Sequence, residues 1–339
     1  AVGAAIGGNY AFVLTGFCVL ASWGVFAATG NTFGLDYLAF GPFMGPHIAF
    51  AGGVAAAIYA RYRGHLGDGK DVNTPLAGIG HPDILCVGAA FGIFGYLCQI
   101  GISNIPWFGK HTDPVALTVL LSGLLARLIF GGVPGKGLFH GSLHNPELFH
   151  ENATSFPAKI KPGPNGRWLE WQEKPSQLLI IGSLFGIFAG GASLFLAANV
   201  GAYLTTRGLA NNLAAANANS FCFGISAVII LFLITNRNMP VQHHVTNIAG
   251  LAAVQFFPLL MGKTLTTYHW TYTSSWDSHT WGMATVALVI AAFFGVFTAG
   301  LGEFCARLWY NRGTSHIDPP AAAIWLGNTV VVSLATLFS

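Results

Sequence analysis

The chain has 339 residues, 53% of them hydrophobic and only 8% charged, against roughly 25% charged in an ordinary soluble domain, so most of it has no place in water. A formal charge of +3 is too small to mark a nucleic-acid partner. The cysteines Cys18, Cys86, Cys98, Cys222 and Cys305 all fall in apolar stretches without metal-ligand spacing, so they read as packing residues.

Taken in chain order, apolar stretches run over 9–29, 40–62, 83–104, 114–132, 177–204, 217–236, 243–262, 280–308 and 317–338. Each is long enough to cross a bilayer as a helix. Residues 1–8 read as the tail of a further span, because the chain opens at Ala1 with neither a methionine nor the charged segment of a signal peptide. The expected fold is all-α, a polytopic membrane protein of about ten transmembrane helices.

Charge placement tests that count. If connections alternate across the membrane, Arg61, Arg63, Lys70, Arg127, Lys136, Lys159, Lys161, Arg167, Lys174, Arg237, Arg307 and Arg312 fall on one side, and only Lys110, Arg207 and Lys263 on the other. The rich side is then cytoplasmic. Arg127 and Arg307 lie near helix ends, from which long side chains reach the interface. The same map makes 133–175 a cytoplasmic linker between a first membrane repeat, 1–132, and a second, 176–339. In that linker His140, His144, His150, Glu147 and Glu151 match no specific metal motif, and the Asn152-Ala153-Thr154 sequon is empty on the cytoplasmic side.

The halves echo one another. His111-Thr112-Asp113-Pro114 parallels His316-Ile317-Asp318-Pro319, and Phe91-Gly92-Ile93-Phe94 parallels Phe294-Gly295-Val296-Phe297. Gly45-Pro46-His47-Ile48 parallels Gln242-His243-His244-Val245, with Ala/Gly-rich helices following in both. Five spans per unit is an odd number, so the second unit enters the membrane from the opposite side and the two form inverted repeats about an axis in the membrane plane. That arrangement resembles the architecture of ammonium channels, urea channels and several sodium-coupled transporters, whose sequence signatures are absent. The segments Gly45-Pro46-His47-Ile48-Ala49-Phe50 and His111-Thr112-Asp113-Pro114 resemble those of uncharacterised, permease-like bacterial integral membrane proteins. The resemblance covers most of the chain and implies a multi-pass protein of the prokaryotic plasma (inner) membrane. It implies no activity.

Asp113 and Asp318 each precede a proline that opens an apolar helix, the pattern of an N-cap with Pro at the first helical position. Their functional alternative is a gate, with His111/Asp113 and His316/Asp318 at opposite mouths of a pathway. His47 and His244 stand at equivalent helix breaks after Pro42, Pro46 and Pro240, where freed backbone groups and an imidazole can meet a solute. His243 doubles the signal in one half. Around them Gly53, Asn247, Gly250, Thr118, Ser122 and Asn328 are small or polar, and serve either helix packing or a pathway. Asn247 and Asn328 carry amides that need a partner or water in hydrocarbon. Glu303 and Arg307 are spaced for a helix-end ion pair. No catalytic triad, phosphate loop or cofactor fingerprint appears, so no enzyme and no cofactor are expected.

The function expected is a channel or permease for a small neutral or weakly charged solute, working between the repeats, in the lipid bilayer and as a homo-oligomer, with the architectural analogy favouring a trimer. Two alternatives stand beside it: a scaffolding membrane protein without transport, and a transition-metal transporter using the histidines.

Overall fold

The computed structural model describes residues 1–131, 168–235, 237–311, 313 and 315–339. The linker histidines and the sequon lie outside the described residues. Among those residues the fold is all-helical, without a strand. The helices before residue 132, taken together as the first unit, are α1 (Val2–Ile6), α2 (Gly8–Thr29), α3 (Ala49–Tyr62), α4 (Pro82–Ser103) and α5 (Pro114–Ala126). The second holds α6 (Pro175–Thr206), α7 (Leu213–Ile234), α8 (His243–Leu260), α9 (Ser278–Cys305) and α10 (Pro319–Leu337). α5 and α9 each end in a wider π-helical turn, Arg127–Gly131 and Ala306–Tyr310.

Seven helices among the described residues are long and apolar enough to cross a membrane, so this is a multi-pass membrane protein. The remaining three are α1, with 5 residues, α3, with 14, and α8, whose first turns hold His243, His244, Thr246 and Asn247. The stretch 40–62 is therefore not one continuous span. Gly41, Pro42, Gly45 and Pro46 break its first part, because proline removes donors and fixes the backbone.

These shorter helices sit at the centre. Every residue of α3 except Tyr59, Arg61 and Tyr62 is buried, and so is every residue of α8 except Gln255, Phe256, Leu259 and Leu260. Their flanking breaks leave backbone groups that lipid cannot satisfy, and side chains take over. The Thr15 hydroxyl donates to the Met44 carbonyl. Before α8, the Gln172 amide donates to the Val241 carbonyl at 2.9 Å and accepts from the Val241 N–H at 3.0 Å.

The helix neighbours repeat between units. α1 packs on α2, α3 and α4, α3 on α2, α4 and α5, and α4 on α5; raising every number by five gives the neighbours within the second unit. Across the units α2 packs on α7 and α5 on α10. Glycines permit the close crossings: a Cβ at Gly52 would stand 2.6 Å from the Gly88 carbonyl oxygen, and one at Gly182 2.5 Å from Val296 Cα.

Loop contacts form two sets. The His316 N–H donates to the Gly69 carbonyl at 3.1 Å and the Trp168 N–H to Asn311 Oδ1 at 2.8 Å, joining three loops of the arginine- and lysine-rich set. In the other set Asn211 donates to the Trp270 carbonyl at 2.9 Å, and His111 Nε2 meets the Thr336 hydroxyl at 3.3 Å. Arg127 does not snorkel as expected. It is buried and turns inward on Ser315 and Trp309, because carbonyls there accept what the interface would otherwise supply. Nearby, Lys70 Nζ stands 4.5 Å from the centre of the Tyr310 ring, and burial pushes its pKa down to about 8. Arg307 and Glu303 pair at 2.6 Å.

Asp113 accepts from the Ala116 N–H and Asp318 from the Ala321 N–H, each at 2.8 Å, with proline following at the first helical position. Both are N-caps. Asp113→Ala and Asp318→Ala should each lower stability by about 1 kcal/mol, read as an earlier thermal midpoint in detergent. Asparagine, itself a good cap, should restore most of the loss.

Candidate functional site

The two capped helices lie side by side in opposite directions, the start of α5 against Thr329 and the start of α10 against Gly123. α5 and α10, each from its own unit, meet where the hydroxyls of Thr112 and Thr329 hydrogen-bond at 2.9 Å. Their N-termini border a cavity of about 280 Å³, lined from the first unit by Phe12, Phe40, Pro46, Phe50, Thr112 and Asp113, and from the second by Asn219, Ser220, Phe223, His243, Asn247, Asp318 and Asn328.

A second cavity, of about 50 Å³, shares Phe12, Phe50, His243 and Asp318 with the first and adds Asn9, Trp168 and His316. Asp318 joins the two, since His316 Nε2 lies 3.2 Å from its Oδ1 while its other oxygen caps α10. His243 is only 5% exposed, packs 4.7 Å from the Phe12 ring centre, and its Nδ1 has no hydrogen-bond partner among the described residues. Asn219 donates to Asn247 Oδ1 at 2.8 Å, and Ser220 accepts from the Trp23 indole at 2.7 Å. The wall thus combines carboxylates, amides, hydroxyls and an imidazole with phenyl rings. Such a mixture can orient a small polar solute while holding its apolar part.

Of the residues singled out in the sequence, the structure gathers Asp113, Asp318, His243, Asn247 and Asn328 around this space. His316 reaches only the smaller cavity. His111 lies apart, stacked at 4.3 Å on Trp107 and bonded to its carbonyl at 2.7 Å.

His47 and His244 line neither cavity. Both are fully buried, and neither ring has a hydrogen-bond partner among the described residues. Glycines make their room. A Cβ at Gly95 would lie 1.9 Å from the His47 carbonyl oxygen, and one at Gly302 2.7 Å from His244 Nε2. Gly53 and Gly250 serve helix contact, against Gly8 and against Ser193 and Asn219 respectively. Thr118 and Ser122 are buried within α5, away from the lining. Sequence reasoning missed Asn219, Ser220 and the phenylalanines. The amides were detectable, since Asn217 and Asn219 interrupt an apolar span as conspicuously as Asn247 does. A phenylalanine facing a cavity is indistinguishable in sequence from one facing lipid.

Comparison with known proteins follows from the whole chain, residues 1–339, which matches one family model. The chain belongs to the family of unknown function DUF7973. Neither a curated protein nor a solved structure matches it. Membership extends over both units and the linker, so the two capped helices, the two central helices and the cavity between them are all within the matched length.

Proposed function

We propose that the protein is a permease or channel for a small neutral or weakly charged solute, with the 280 Å³ cavity as its binding place. One observation carries this reading: a polar cavity lined by both units, bordered by the start of a capped helix from each. The repeated neighbour pattern supports two inverted five-helix units, including the short α1, α3 and α8, since breaks in central helices are tolerated where the freed backbone faces protein or a cavity. Rocking of one unit on the other across the α2–α7 and α5–α10 contacts would open the cavity alternately to each side. The charge distribution supports residues 133–175 on the cytoplasmic face of a prokaryotic plasma membrane, and the architectural analogy supports a homo-oligomer, with a trimer first to be tested.

Reconstitution into liposomes tests it. Uptake of ammonium, urea, small amides or amino acids should exceed that of protein-free vesicles for at least one solute, and should fall about tenfold in His243→Leu and Asn247→Leu, which turn polar wall into hydrocarbon. Equal uptake with and without protein for every solute would leave the scaffolding alternative standing.

A further inference from the structure

We infer that the central cavity selects a small organic cation, an alkylammonium, drawn in by Asp113 at one end of the wall and Asp318 at the other and packed against the phenyl rings of Phe12, Phe50 and Phe223; this rests on the permease reading above. The charge on the wall is unbalanced. Two carboxylates face the same space, and no lysine or arginine is among its described lining residues. Each helix N-terminus contributes only about half a positive charge, so the cavity stays net negative, and a carboxylate in a poorly hydrated place needs an opposite charge. Capping does not exhaust these groups. Asp113 bonds the Ala116 N–H, and Asp318 bonds the Ala321 N–H and His316, whereas a carboxylate offers about four acceptor positions.

A second observation points independently to an occupant. His243, 5% exposed and lining both cavities, keeps a ring nitrogen without a partner among the described residues. Its ring belongs to an aromatic cluster, with Phe12 lying 5.6 Å from Phe50 and 5.7 Å from Phe223.

The nature of the wall decides which cation. A bare metal ion demands a close shell of about six oxygens, which a wide space half-walled by phenyl carbon does not provide. An alkylammonium is larger and more weakly hydrated, and its charge is attracted by aromatic faces as well as by carboxylates.

Equilibrium dialysis of the full chain in detergent, with tetramethylammonium as the probe and tert-butanol as its neutral counterpart of similar shape, tests this. Saturable tetramethylammonium binding is expected, undisturbed by equimolar tert-butanol and weakened at least tenfold in Asp113→Asn and Asp318→Asn, which keep a capping side chain. Asn328→Asp, which adds a carboxylate to the wall, should tighten binding severalfold and serves if either asparagine variant fails to fold. Absence of saturable binding, displacement by tert-butanol, or unchanged affinity in these variants overturns the inference. Proteoliposome flux separates the two levels of the argument. If urea crosses while tetramethylammonium neither binds nor crosses, the cation inference falls and the permease stands; if nothing binds and nothing crosses, both fall.

Discussion

Gly95→Ala is expected to cost about 3 kcal/mol and to disrupt the helix break beside the cavity. The added methyl carbon would lie 1.9 Å from the His47 carbonyl oxygen and 2.9 Å from its carbonyl carbon. Those are backbone atoms, so no rotamer change relieves the clash. Either α4 or the segment entering α3 must shift, and that segment carries Pro46, a cavity-lining residue next to His47. The same substitution elsewhere in α4 supplies the control. Nothing lies within 4 Å of a Cβ at Gly101, so Gly101→Ala should be neutral or should gain up to about 1 kcal/mol from helix propensity. Thermal unfolding in detergent, followed by light scattering, should place Gly95→Ala several degrees below wild type and Gly101→Ala at or above it. Equal midpoints would mean that α3 and α4 are not packed as described.

Arg127→Met should be comparably severe, at about 3–5 kcal/mol. Arg127 ends α5 in the first unit and is only 2% exposed, yet its guanidinium donates to the Ser315 hydroxyl at 2.6 Å, the Ser315 carbonyl at 2.6 Å and the Trp309 carbonyl at 2.7 Å, all in the second unit. Methionine matches the stem but donates nothing. Buried carbonyls would lose their donors, and an unsatisfied buried acceptor costs more than the hydrogen bond contributes net. Ser315→Ala removes only the hydroxyl and should cost about 1 kcal/mol. Gly313→Ala approaches the same contact differently, since its Cβ would fall 2.4 Å from Arg127 Cζ. Limited proteolysis should therefore cut the 311–318 loop faster in Arg127→Met and Gly313→Ala than in Ser315→Ala. A proteolysis rate in Arg127→Met no greater than that of wild type would show that the two units are held together elsewhere.

Short-range signals were the most legible. Asp113-Pro114 and Asp318-Pro319 read as helix caps because an N-cap needs only a side chain, the next residue and the following turn, all within four positions. Glu303 and Arg307 were legible for the same reason. Burial reasoning singled out Asn247 and Asn328, which line the cavity, because an amide in hydrocarbon must meet something polar. Sequence reasoning also singled out His47 and His244, which line neither cavity. Position at a helix break says that a histidine is near irregular backbone, not which way its ring turns, and here the rings turn into packed contacts beside Gly45 and Gly302. His243 enters the cavity instead, since successive residues on a helix point about 100° apart. Arg127 failed likewise: a cation near a helix end has two destinations, and only the neighbouring unit's carbonyls decide between them.

Sequence alone established a helical, multi-pass membrane chain with a paired helix-start motif, because hydropathy over about 20 residues and a four-residue cap are local quantities. Tertiary structure alone brought those two starts to one cavity, with α3 and α8 sheltered at the centre and Phe12, Phe50 and Phe223 along the wall. Which apolar face meets lipid and which meets another helix has no signature along a chain that is hydrophobic all round; the difference arises only when the helices pack.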